Sequence, residues 1–238
     1  MRPPLPMAFV VLSLSAVTGP WAETLPLPTD LVALASEQGE ALLFGAEARS
    51  DFAPLSAQFV TQVNPAFCGP ATIAMVLNAL DLPRPPSDAT LGLGLFDQDN
   101  VFTAAASEAV KPRAEVLRGG MTLDDLGAFL GSYGLDVAVT HASDSSLAAF
   151  RDTAVAGLND RDRFVLVNYL RSAMGQEKGG HISPLAAYDA DTDRFLVLDV
   201  SRYKYPPIWV EAETLYGAMN TPDADNGGQS RGFVVVGR

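Results

Sequence analysis

Apolar residues at 31–46 fall at helical spacing and predict a helix that ends near Gly45. Residues 52–62 (FAPLSAQFVTQ) read as an extended approach to the next element. The run ATIAMVLNAL at 71–80 is apolar on every side except Thr72 and Asn78, and a helix with so little polar face is a buried one. Pro70 sits where a first helical turn tolerates proline, because the missing N–H would have no partner there. DLPRPP at 81–86 ends that helix. Thr122 with Asp125 forms a capping-box pattern ahead of LGAFLGSYG. Residues 135–140 read as a strand and 145–156 as a helix. The last third changes character: RFVLVNYL (163–170), HISPLAAY (181–188), RFLVLDV (194–200) and GFVVVG (232–237) read as strands. Helices first and strands later predict an α+β domain, with an N-terminal helical part and a C-terminal antiparallel sheet.

The extreme N-terminus has another pattern. Arg2 precedes an apolar run at 7–17 (MAFVVLSLSAV), too short for a membrane span, and TGPWA follows. This reads as an export signal over 1–22, cut after Ala22. The remainder, 23–238, would then be one catalytic domain, periplasmic or secreted, with no membrane attachment in the mature form. Net charge is −12 and the pI is near 4.4, which disfavours nucleic acid as a partner. A single cysteine excludes an internal disulfide and multi-cysteine metal sites. In an oxidising compartment a lone cysteine is no structural staple.

That cysteine, Cys68, stands where a turn becomes the buried helix, in QVNPAFCGPATIAMVLNAL. Unpaired N–H groups and the helix dipole there favour thiolate over thiol. Gly69 would let the backbone approach a substrate closely. The bland alternative is a small buried hydrophobe. A nucleophilic thiol needs a base, and the chain has two histidines. His141 ends a strand in a polar stretch and reads as a surface residue. His181 follows Gly179 and Gly180 and opens a strand. An imidazole base needs an orienting acceptor. Asp199 ends the strand RFLVLD, and DADTD at 189–193 reads as the turn joining the two strands. His181 and Asp199 should therefore face each other, with Pro184 introducing a bulge. Gln62, six residues before Cys68, could donate to an oxyanion together with the Cys68 N–H. The order Gln, Cys-Gly, Gly-His, Asp is that of papain-like enzymes.

The segments QFVTQVNPAFCGPATIAMVLNAL, VNYLR, GGHISPLAAYD, LDVSRYKYPPIWV, AMNT and RGFVVVG resemble phytochelatin synthase in its short prokaryotic form. The resemblance covers roughly 50–238. It implies a papain-like fold and acyl transfer on glutathione, with Cys68 as nucleophile, His181 as base and acid, Asp199 as orienter and Gln62 in the oxyanion role. Plant members carry an added cysteine-rich C-terminal region, and no such cysteines occur here. The expectation is therefore hydrolysis of glutathione to γ-glutamylcysteine and glycine, with little phytochelatin made. The γ-glutamyl end carries a carboxylate and an amine. Arg231, Arg171 and Arg202 are candidates for the carboxylate, Arg231 first because it opens the last strand. The sequence does not choose the acid that faces the amine.

DADTDR (189–194) lacks the glycine and glutamate of a calcium loop, DADNGG (223–228) reads as a plain loop, and LGLGLFD (91–97) lacks the third glycine of a dinucleotide fingerprint. No histidines have ligand spacing. No tightly bound cofactor is expected, and cadmium or zinc would enter as a glutathione thiolate. A homodimer is left open. The alternatives are a papain-like peptidase of other specificity and a non-catalytic module that binds glutathione or metal thiolates; a pure binder would need no paired base.

Overall fold

The computed structural model describes residues 24–86 and 90–238. The export segment read at 1–22 lies outside the described residues. The chain runs through β1 (Val32–Ala33), α1 (Glu37–Gly45), α2 (Phe52–Ala57), α3 (Cys68–Ala79), α4 (Ala105–Val110), α5 (Arg113–Gly119) and α6 (Leu123–Gly131). Then come β2 (Asp136–His141), α7 (Leu147–Leu158), β3 (Arg163–Leu170), β4 (Gly180–Asp189), β5 (Arg194–Val197), β6 (Ile208–Glu211), α8 (Ala212–Met219) and β7 (Gly232–Gly237).

The seven described strands form one antiparallel sheet in the order β1-β6-β5-β4-β3-β7-β2. This is the α+β organisation that the sequence pattern predicts. One core lies on the sheet face covered by α1, α3 and α6; a second lies beneath α7 and α8 on the other. Cover on both faces explains why β3 and β4 are buried along almost their whole length rather than at alternate residues.

Three boundaries differ from the sequence reading. Helix α1 starts at Glu37 rather than 31, because the Ser36 hydroxyl accepts from the Gly39 N–H and caps it. Residues before it pair as β1 with Ile208 and Trp209. Residues 52–57 are helical rather than extended: Pro54 is the third residue of α2, where an N–H would have no helical partner. Strand β5 ends at Val197, not at 200. A bulge between Leu185 and Ala187, one residue past Pro184, shifts the β4–β5 register, and Asp199 lies beyond the ladder.

The capping box at Thr122 and Asp125 is formed with both bonds present. Helix α3 is buried from Cys68 through Asn78. Its Thr72 hydroxyl donates to the Ile182 carbonyl, which fixes the helix N-terminus beside the start of β4.

Candidate active site

Cys68 is the first residue of α3 and is buried. The first N–H groups of a helix have no partner within it, so the sulfur sits among unspent donors. His181 is the second residue of β4 and pairs across to Tyr169 of β3, whose ring meets the imidazole edge-on at 5.6 Å. The His181 Nε2 lies 2.9 Å from Asp199 Oδ1 and 3.0 Å from the Ser183 hydroxyl. Nδ1 is left for the Cys68 sulfur, to which the ring is hydrogen-bonded. The sequence reading that joins His181 with Asp199 is met, although Asp199 reaches the ring from past the strand end.

Arg171 completes the line. Its two terminal nitrogens each lie 2.8 Å from an Asp199 oxygen, and NH1 also donates to Gln176. The guanidinium lies over the rings of Tyr169 and Tyr205. Asp199 accepts from the Ser201 N–H as well. Arg171 is thus spent on Asp199, and its place in the structure is behind the base rather than in the cavity beside Cys68.

These contacts set the charges. Burial pushes the Cys68 thiol up, but the hydrogen bond and charge of His181, the Ile182 N–H and the charge of Arg171 outweigh it, and the net shift is downward. Burial, the largest influence, disfavours the His181 cation and Arg171 opposes it too, yet the charge and hydrogen bond of Asp199, with the bond to Cys68, together hold the imidazole above its ordinary range. Burial would raise Asp199, but His181 and Arg171 hold it well below the usual carboxylate range. Both partners therefore move toward a thiolate–imidazolium pair.

A cavity of about 530 Å³ opens beside Cys68 and His181. Its polar walls include Asn64, Arg118, Asn168, Asp223, Asp225 and Arg231. Arg231 donates to the Thr221 hydroxyl and Pro222 carbonyl and lies 3.3 Å from Asp223, while its buried Nε has no partner among the described residues. A Cβ on Gly180 would lie 3.4 Å from this guanidinium, so the residue before His181 packs directly against Arg231. Gly179 has φ 129°, a conformation that favours glycine. A Cβ on Gly69 would lie 2.6 Å from the sulfur of Met121, a residue of the cavity wall, so the glycine lets the start of α3 pack against that side chain.

A second cavity, about 190 Å³, lies on the other side of His181 and is lined by Gln62, Pro65, Arg171, Lys178, Ser201, Tyr203 and Lys204. Gln62 is buried there. Its amide nitrogen donates to the Asn64 carbonyl at 2.7 Å and the Tyr203 hydroxyl at 3.0 Å. Arg202 stacks over Phe59 and lines neither cavity. His141 is not the surface residue that its polar neighbours suggest: its side chain is 11% exposed and both ring nitrogens are engaged. No group of three or more His, Cys, Asp or Glu side chains among the described residues could hold a metal ion.

Sequence reasoning missed Asn168, Asp223 and Asp225. Asn168 is the one polar residue inside the buried stretch of β3, and that was its signal. The two aspartates lie in the loop set aside as DADNGG, directly ahead of Arg231.

Residues 22–233 match the family model for phytochelatin synthase. The chain is 32% identical to glutathione gamma-glutamylcysteinyltransferase 3 of Lotus japonicus over 94% of its own length and 45% of that protein. It is 28% identical to the glutathione gamma-glutamylcysteinyltransferase of Schizosaccharomyces pombe over 88% of its length and 50% of that protein. The chain thus spans about half the length of the curated relatives it matches. A crystal structure of a putative C39-like peptidase from Bacillus anthracis covers 76% of this chain and 94% of its own at 11% identity and a TM-score of 0.46, a likeness too slight to argue from. The match takes in nearly the whole chain, buried Cys–His–Asp line included, and the chain belongs to the phytochelatin synthase family.

Proposed function

We propose that the protein cleaves the Cys–Gly bond of glutathione through a Cys68 thioester. The observation that carries this reading is the line Arg171–Asp199–His181–Cys68 facing a cavity whose polar end combines Arg231 with two aspartates. A γ-glutamyl group ends in a carboxylate and an ammonium. Arg231 can take the carboxylate and Asp223 or Asp225 the ammonium, with Asn168 along the wall.

The Cys68 thiolate attacks the cysteinyl carbonyl. The oxyanion forms against the Cys68 N–H and, once the Gln62 amide gives up its bond to Tyr203, against Gln62. The tetrahedral species collapses as His181 gives a proton to the leaving glycine amine, whose carboxylate the basic side of the smaller cavity receives. His181, now neutral, takes a proton from water, and hydroxide addition to the thioester releases γ-glutamylcysteine and restores the thiolate–imidazolium pair. If the amine of a second glutathione attacks instead, the product is a phytochelatin dimer.

Hydrolysis should dominate. The leaving-group side offers about 190 Å³ against about 530 Å³ on the acyl side, room for glycine rather than for a second tripeptide. Cadmium or zinc would act on the acceptor as a thiolate complex, as substrate. The paired base argues against a module that merely binds. Mass spectrometry of products from glutathione, with and without cadmium, tests the reading. Free glycine and γ-glutamylcysteine should appear first; glutathione left intact while unrelated short peptides are cut would replace it with the peptidase reading.

A further inference from the structure

His141 stands apart from the Cys68 line, yet both of its ring nitrogens are engaged. It ends β2, opposite Gly232 at the start of β7. Nδ1 lies 2.5 Å from the Ser230 carbonyl oxygen, and Nε2 lies 3.0 Å from Asp124 Oδ1. Both partners can only accept. A neutral imidazole has one N–H and one lone pair, so it can satisfy one of them while turning a lone pair on the other. Both contacts are made together only by the doubly protonated ring.

What the ring grips is the loop 221–231. Ser230 is the residue before Arg231, and the same loop brings Asp223 and Asp225 to the cavity. The loop is closed by the Pro222–Ser230 bridge and by the bond from the Asp223 N–H to the Gln229 carbonyl. Asp124, the second residue of α6, holds His141 with one oxygen and accepts from Asn226 of the loop with the other, at 3.1 Å. The Ser230 hydroxyl accepts from the Ser143 N–H, and the Ala142 N–H donates to the Arg231 carbonyl. The charged groups on the elements packed here are Asp124 and Asp125 of α6, Asp144 after β2, and Asp223, Asp225 and Arg231 of the loop. Asp125 is paired with Lys111 and Arg231 with Asp223, and of the six only Asp124 is paired with the ring.

We infer that His141 is a positioning residue: as a cation clamped between Asp124 and the Ser230 carbonyl, it fixes the loop that presents Arg231, Asp223 and Asp225 to the γ-glutamyl end of the substrate. This rests on the glutathione reading above for the ligand, but not for the clamp itself. The ring touches no reacting atom, so its loss should fall on substrate affinity and leave the Cys68–His181 pair intact.

The test uses His141→Phe, which keeps a ring and removes both donors, and Asn226→Ala, which cuts the second tie to Asp124 without touching the ring. His141→Phe should raise KM for glutathione by about ten-fold or more, the loss expected for a hydrogen bond to a charged group, with kcat within about three-fold. Alkylation of Cys68 by iodoacetamide should keep its rate. Asn226→Ala should raise KM in the same direction by less. In the wild type, nitrogen NMR of the two histidines should show both His141 nitrogens protonated. An unchanged KM in a folded His141→Phe variant, or a collapse of kcat without change in KM, overturns the inference. If that variant does not fold, an unchanged KM in Asn226→Ala with a singly protonated His141 ring overturns it. If the wild type does not turn glutathione over, the substrate reading fails alone; a shift of the Arg231 side-chain resonances in either variant still supports the clamp, and their constancy removes it.

Discussion

The two histidines of this chain make the same first contact and end in opposite roles. His181 puts Nε2 2.9 Å from Asp199, and His141 puts Nε2 3.0 Å from Asp124. The difference lies on the other nitrogen. Across from His181 is a thiol, which can give up its proton and take one back; across from His141 is a carbonyl, which can do neither. Their carboxylates differ too. Asp199 is fully buried and braced by Arg171 and the Ser201 N–H, whereas the Asp124 side chain is half-exposed and braced by Asn226. A His–Asp pair is therefore not a catalytic signature by itself. The third group decides whether the ring moves protons or holds a shape.

Substitutions should rank accordingly. Cys68→Ala and His181→Ala should each cost about a thousand-fold or more in kcat, since removing the nucleophile or its base removes the chemical step; single-turnover release of glycine measures it. Asp199→Asn should lose at least about a hundred-fold, because the imidazolium loses its counter-charge and Arg171 is left buried without one. The same change at Asp124 should leave kcat nearly intact, and equal losses at the two aspartates would erase the contrast. Arg231→Lys should raise KM by about ten-fold, as a point charge replaces a fork that can bind a carboxylate with two bonds.

pH separates the pair further. The Cys68 thiol is held below, and the His181 imidazole above, the ordinary range of each. Both shifts favour the thiolate–imidazolium ion pair. Alkylation of Cys68 should thus run fast well below the usual thiol range of about 8.5, and its midpoint should rise in Asp199→Asn but not in His141→Phe.

The smallest effect on activity belongs to another buried carboxylate. Asp51 is as buried as Asp199, but neither of its oxygens has a hydrogen-bond partner among the described residues. Burial, then the nearby charge of Asp160, pushes it up to about 8. The unfolded chain ionises near the ordinary value of about 3.9, so the fold loses stability as pH rises from there and the loss levels off above about 8. Asp51→Asn should melt higher at pH 7 than the wild type, match it near pH 4, and leave glutathione turnover unchanged. A lower melting temperature at pH 7 would mean that the charged form is the stable one.

The contrast between the histidines also marks what the sequence could tell. Patterns that repeat over many residues were legible: the all-apolar face of α3, the capping box of α6, and β3 and β7 to the residue. The short helices α2, α4 and α5 were not read, because six or seven residues give too few turns for a periodicity to show. Strand β6 was hidden by its four-residue length and α8 by following it without a break. In the site, Cys68, His181 and Asp199 were legible because two lie at element starts and the third follows a strand tied to the second by a hairpin. Arg171 gave no sign of turning toward Asp199, since that contact joins residues 28 apart through the fold. The clamp on His141 joins a strand end, a helix start and a loop 89 residues away, and a polar neighbourhood in sequence says nothing of such a meeting.

The most direct test of the central claim is the mass of the enzyme after acid quench from glutathione. The account predicts an adduct of one γ-glutamylcysteinyl unit on Cys68, sensitive to hydroxylamine, with one equivalent of free glycine, and no adduct in Cys68→Ala. An adduct of the whole tripeptide that dithiothreitol removes, with no glycine released, would mean that Cys68 forms a mixed disulfide rather than a thioester and would contradict the account.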